Sequence, residues 1–250
     1  MIITLLPMSA LHVNISRMKT GAGQVFEIHL DSSFGIHCPP ELIPSPGQYS
    51  FAHAPASASP LAVPVFFSDS APDGFRSAPL EVDWKPGTKL NLRGPLGRGF
   101  TIPAFARKVA LAALDESAAR LRGLILPALN QGAEVVLVSD SVLDGLPESV
   151  EVQPLQALTE IYQWADYAAF DVARENLNQL KEKLGRLTQA KTPREAAVSK
   201  GQVLIRAPMP CGALAECGVC ALTVHHEWKM ICKDGPVFEM GELGLINTKF

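Results

Sequence analysis

The stretch "KVALAALDESAARLRGLILPALNQGAEVVLVSDS", Lys108 to Ser141, decides the fold. Its two ends, "KVALAALD" and "AEVVLVSDS", are compact apolar runs of the kind that strands buried on both faces require. Between them, apolar residues in "ESAARLRGLILPALNQG" recur at helical spacing, which predicts one helix over Glu116–Gly132. Strand, helix, strand in that order is a βαβ unit with a parallel sheet. The pattern repeats downstream, where "ADYAAFDV" (Ala165–Val172) reads as a strand and "RENLNQLKEKLG" (Arg174–Gly185) as a helix closed by its glycine. Helices are expected on both sheet faces. "TQAKTPREAAVSKG" is polar and charged and reads as a linker, after which "QVLIRAP" (Gln202–Pro208) supplies one more strand.

Upstream, the rhythm has period two. "QVFEIHL" (Gln24–Leu30) and "KLNLRG" (Lys89–Gly94) alternate, and "VPVFFSD" (Val63–Asp69) is a short β-forming run. Turn clusters "PSPGQY", "SAPDG" and "KPGT" separate them. A small antiparallel barrel or sandwich over residues 1–104 fits, followed by an α/β domain over 105–200. The apolar opening "MIITLLPMSALHV" has no basic residues ahead of it and reads as a first strand rather than a leader.

Downstream, "PCGALAECGVCAL" (Pro210–Leu222) and "CKDGPVF" (Cys232–Phe238) place four of the chain's 5 cysteines in its last fifth, spaced C-x5-C-x2-C-x11-C. A 201–250 segment built around them reads as a metal-binding domain, with Cys211, Cys217, Cys220 and Cys232 as ligands. Soft thiolates suit an iron-sulfur core, and the spacing differs by one residue from the plant-type ferredoxin loop. The same four thiolates could hold zinc, although zinc sites usually pair two close cysteine couples, and only one C-x2-C is present. His225 and His226 are adjacent, so they point to opposite faces of a strand and are not expected to share one iron. Cys38 reads as a small packed hydrophobe. Trp228 and Phe238 flank Cys232 and are candidates for shielding it or for a docking surface.

With 47% hydrophobic residues and a net charge of -3, the chain can bury a sizeable core and offers no basic surface for nucleic acid. No apolar run reaches the roughly 20 residues a bilayer span needs. Clustered cysteines of odd total point to a reducing, cytoplasmic setting. No nucleophile elbow or other hydrolytic constellation is visible, so no catalytic residue is assigned.

The order of parts, and above all "RGPLGRGF" at Arg93–Phe100 with the run from Cys211 to Phe238 and the weaker "PGQY" at Pro46–Tyr49, resembles the electron-transfer subunit of bacterial dihydroorotate dehydrogenase, of the ferredoxin reductase-like flavoproteins. The resemblance implies a β-barrel plus α/β fold with a small C-terminal [2Fe-2S] cysteine domain, FAD on the barrel, NAD(H) on the α/β domain, and a flavin-containing dehydrogenase partner in a hetero-oligomer serving pyrimidine synthesis. Two residue readings modify it. Where the family has a glycine-rich turn, this chain has Asp115 and Glu116, which add bulk and negative charge where a pyrophosphate needs bare amides; NAD is therefore not expected. Val63 stands where the family carries a flavin-phosphate arginine, which leaves FAD open. The leading reading is an electron-transfer subunit; the alternatives are an FAD-dependent NAD(P)H reductase and a zinc-binding structural protein on a decayed reductase fold.

Overall fold

The computed structural model describes residues 19–57, 59–115, 117–185, 201–224 and 227–245. The expected opening strand, Glu116, most of the expected linker, and His225 and His226 lie outside the described residues.

Six antiparallel strands close into a barrel: β1 (Thr20–Ile28), β2 (Phe34–His37), β3 (Tyr49–His53), β4 (Val63–Ala71), β5 (Gly74–Ser77) and β6 (Lys89–Leu96), ordered β1-β2-β5-β4-β3-β6. Alternation does what the sequence promised. Along β6, Leu90, Leu92, Gly94 and Leu96 point inward while Lys89 and Asn91 are exposed. Val25, Ile36, Val65 and Phe75, each with no exposed surface, fill the interior with Leu90 and Leu92; each such side chain contributes about 1.5–3 kcal/mol on leaving water.

A six-stranded sheet follows, made of β7 (Lys108–Ala113), β8 (Glu134–Val138), β9 (Val150–Gln153), β10 (Tyr167–Ala173), β11 (Gly201–Arg206) and β14 (Val237–Glu239), ordered β14-β11-β10-β7-β8-β9. All neighbours are parallel except β14, which runs antiparallel to β11. Two of these strands come from the 201–250 segment, so the cysteine region is continuous with the α/β sheet. Short helices cover both faces, as expected. Helix α1 (Ile125–Asn130) packs on one, and α2 (Leu158–Trp164) and α3 (Leu177–Gly185) lie on the other.

The single helix expected over Glu116–Gly132 is a 3-10 turn at Ala118–Leu124 running into α1. Ala118, Leu121 and Leu124 are buried at every third position, which is the period of the tighter helix. Pro127 has no N–H to donate and sits in the first turn of α1, where none is needed. Beyond β11 lie the hairpin β12 (Ala221–Val224) and β13 (Glu227–Met230) and a one-turn helix α4 (Ile231–Asp234). One core joins all of these parts: Tyr49, Phe51 and Phe66 of the barrel pack with Val203 and Ile205 of the sheet and with Cys220, Cys232 and Phe238. No helix among the described residues is long and apolar enough to cross a membrane.

Candidate metal centre

The cysteine loop leaves β11 and returns at β12 through four left-handed residues, Gly212, Ala213, Ala215 and Gly218, with φ of 64°, 63°, 59° and 69°. Left-handed alanines are uncommon, and here these turns aim backbone N–H groups at the thiols. The amides of Leu214, Glu216 and Cys217 donate to the Cys211 sulfur, and the amide of Ala215 donates to that of Cys232. The hairpin ties back where the Ile231 N–H donates to the Cys220 carbonyl at 3.1 Å. Asp234 caps the turn before Cys232 by accepting from the Met230 N–H at 2.7 Å.

The four thiols meet as two couples. Cys211 shares a hydrogen bond with Cys217, and Cys220 shares one with Cys232. Cys220 and Cys232 are buried, Cys211 is half-buried and Cys217 is exposed. Burial raises the Cys211 thiol, but the hydrogen bonds from the Cys217 thiol and the three amides outweigh it and bring it down to about 7. Burial, the Cys220 thiol and the neighbouring thiolate charges push Cys232 up to about 12. The arrangement therefore favours the anion at Cys211 and disfavours it at Cys232, where a bound metal would supply the positive charge that stabilises a thiolate. Among the described residues, no three Cys, His, Asp or Glu side chains form a cage for one ion.

Three segments of the barrel and the loop brace one another. A β-carbon at Gly97 would sit 2.4 Å from Pro236 Cδ and 2.7 Å from the Gly235 carbonyl oxygen. The Arg98 N–H donates to that same carbonyl at 2.6 Å. The Tyr49 hydroxyl donates to the Cys232 carbonyl at 2.9 Å, and burial followed by the thiols of Cys232, Cys220 and Cys211 drives its pKa far above the ordinary tyrosine value. "PGQY", "GPLGRGF" and "CKDGPVF", separate in sequence, are one seam that fastens the cysteine loop to the barrel. On the opposite side Arg174 donates to the carbonyls of Val219 and Ala221, which flank Cys220. Neither Tyr49 nor Arg174 was singled out from the sequence as a support of this centre.

Cys38 lies in the barrel after β2, half-buried, its thiol raised to about 11 by burial and by Glu41. Of the two aromatic candidates, Trp228 is 72% exposed. Phe238 is not at the surface: it is 2% exposed, with its ring over Gly235, and serves the core.

The crevice at the carboxyl ends of β7 and β10 is the topological switch point of the sheet, where such folds usually take nucleotides. Here most of its groups answer one another, with Arg120 Nε left buried without a hydrogen-bond partner. Asp115 accepts from the Ala173 N–H and from Arg206 Nη2, both at 2.5 Å, and from the Asn176 side chain. Asp171, buried in mid-strand, accepts from Arg206 Nε at 2.8 Å and from Arg120 Nη1 at 3.2 Å. Nearby, the Arg122–Asp69 ion pair at 2.9 Å bridges the 3-10 turn and β4, and Gly123 packs against the Phe67 ring. A carboxylate thus stands where a pyrophosphate would bind, and these residues do not fit NAD(H).

Residues 208–244 match the family described as the iron-sulfur cluster binding domain of dihydroorotate dehydrogenase B. The cysteine segment is an iron-sulfur cluster binding domain of this type. Over 183 residues the chain is 30% identical to the electron transfer subunit of dihydroorotate dehydrogenase B (NAD(+)) from Desulforamulus reducens, covering 62% of this chain and 65% of that one. It is 26% identical over 183 residues to sulfhydrogenase 1 subunit gamma from Pyrococcus furiosus, covering 62% of each. It spans less than two thirds of the length of both relatives. Among solved structures, the NADH-dependent reduced ferredoxin-NADP oxidoreductase superposes with a TM-score of 0.66 at 19% identity, over 88% of this chain and 89% of that one. A ferredoxin NADP+ reductase from Neisseria gonorrhoeae, solved with FAD and NADP, gives 0.53 at 12% identity over 75% and 98%. The iron-sulfur domain is thus mounted on a ferredoxin reductase-like fold.

Proposed function

We propose that this chain is the electron-transfer subunit of a cytoplasmic oxidoreductase complex, carrying one [2Fe-2S] cluster on Cys211, Cys217, Cys220 and Cys232 and exchanging electrons with a flavin-containing dehydrogenase subunit. The observation that carries the reading is the pairing of the thiols. A two-iron cluster takes two protein ligands on each iron, which matches two couples, whereas one tetrahedral zinc would draw all four thiolates to a single point. When bound, such a cluster supplies one-electron carriage without a change in the bonds of a substrate.

The chain's own residues do the rest. Amides of residues 214–217 hold sulfur charge in place, the buried couple Cys220 and Cys232 fixes the inner side, and the exposed Cys217 leaves an edge from which a partner can be reached. An open cavity of about 580 Å³ is bordered by Cys211, Arg93 and Phe51. Both curated relatives are named as subunits of larger enzymes, one of them a dihydroorotate dehydrogenase, and this supports a partner of that class and a place in pyrimidine synthesis. We assign the barrel to residues 1–104, the α/β region to 105–200 and the cluster region to 201–250.

The test is anaerobic reconstitution of the wild type and of Cys217→Ser, Cys220→Ser and Cys38→Ser, followed by iron and sulfide analysis and a visible spectrum. Two irons and two sulfides per chain, lost in the first two variants and kept in the third, are expected. Full iron and sulfide in Cys217→Ser would sink the ligand assignment. Zinc without sulfide would establish the structural alternative, and flavin bands in the same scan would favour the reductase.

A further inference from the structure

We infer that Arg93 sets the reduction potential of the centre, by placing a positive charge against the rim of the cysteine loop. The inference rests on the cluster reading above. Arg93 projects from the outer face of β6, where its guanidinium carbon lies 5.5 Å from the centre of the Phe51 ring. A β-carbon at Gly212 would be 3.1 Å from its Nη2, so the charge abuts the residue next to Cys211. Both Arg93 and Cys211 border the same open cavity.

Among the described residues no carboxylate forms an ion pair with Arg93, and it makes no hydrogen bond to the loop. This separates it from Arg174, whose side chain holds two loop carbonyls and whose loss would disturb the loop itself. Glu216 in the loop and Lys233 and Asp234 after Cys232 are the other charges carried by the cysteine segments. Four thiolates around an iron-sulfur core make an anion. Reduction adds one electron and therefore one further negative charge, with no bond made or broken. A fixed cation stabilises the more negative state by the greater amount, so it raises the potential. The cavity admits water and salt, so the effect should shrink as ionic strength rises.

The experiment is a redox titration of the reconstituted wild type, Arg93→Gln, Arg93→Lys and Lys89→Gln, followed by visible absorbance and electron paramagnetic resonance at low and high salt. Lys89 offers the same charge on the same face of β6, about 13 Å away at the usual strand rise. Arg93→Gln should retain iron and sulfide yet show about a tenfold smaller equilibrium constant for reduction, a fall of about 59 mV for a one-electron couple. Arg93→Lys and Lys89→Gln should stay near the wild type. Equal potentials in Arg93→Gln and wild type at low salt would overturn the inference and leave the cluster standing. So would an Arg93→Lys variant that falls as far as Arg93→Gln. A wild-type chain that takes up no iron and sulfide overturns the cluster reading itself.

Discussion

The cysteine loop and the crevice between β7 and β10 are joined by β11, and they treat polar groups in opposite ways. In the loop, left-handed turns aim amides at sulfur, and at the rim the Arg93 guanidinium lies over the Phe51 ring with no ion-pair partner among the described residues. In the crevice, most groups have an internal partner: an amide, an asparagine and Arg206 meet Asp115, and Arg120 and Arg206 meet Asp171, while Arg120 Nε is the exception, buried without a hydrogen-bond partner. A site for an outside anion must leave donors unanswered, because a buried donor gains little by exchanging one good acceptor for another. The difference teaches that the loop turns its polar groups toward the thiols, while the crevice spends most of its own on holding β7, β10 and β11 together. That brace continues to the loop, since Arg206 ends the strand that leads into it.

The largest expected effect breaks the brace. The Asp171 side chain is 1% exposed and meets two arginines that are themselves largely covered. Asp171→Ala leaves two buried cations short of a partner and should cost about 3–5 kcal/mol of stability, measured as the shift in urea unfolding followed by circular dichroism. A loss under about 1 kcal/mol would mean that these groups are solvated and free for a ligand, and the contrast between the two regions would collapse.

A smaller effect tests the seam on the other side of the loop. Gly97 has φ of 77° and no room for a methyl group against Pro236 and Gly235. Gly97→Ala should cost about 1–3 kcal/mol from overpacking, and it should lower the iron retained after gel filtration, because Gly235 and Pro236 lie only three and four residues from Cys232 in the chain. Stability reduced with full iron retention would show that the seam supports the fold but not the loop.

Much of this was legible in sequence, for identifiable reasons. β7, β8, β10 and β11 are apolar runs that only a doubly covered sheet accommodates, and β6 alternates as a barrel strand must. β9 and α2 were not legible: Val150–Gln153 buries only one of its four residues, and Leu158–Trp164 is too short for helical periodicity to stand out. The four cysteines stood out as a candidate centre by their spacing and by the family resemblance of the run that holds them. Its supports did not, because Tyr49 reaches Cys232 across 183 residues and Arg174 reaches Val219 across 45. Asp115 was readable as an obstacle to phosphate. Its partnership with Arg206, 91 residues away, was not.

The smallest expected effect is a null, and it bears most directly on the contrast. Calorimetry of the chain with NADH or NADPH should give no measurable isotherm at micromolar concentrations, since the dinucleotide would have to displace a carboxylate from three donors and then share the crevice with Asp171. Charge acts in the same direction as space, because Asp115 brings a negative group to the position of a diphosphate. Asp115→Gly removes that obstacle and frees the Ala173 N–H, so weak heat of binding in this variant alone would identify the carboxylate as the barrier. A micromolar isotherm in the wild type, about -8 kcal/mol, would show that another surface binds nicotinamide nucleotides, and the reductase alternative would then have its electron donor.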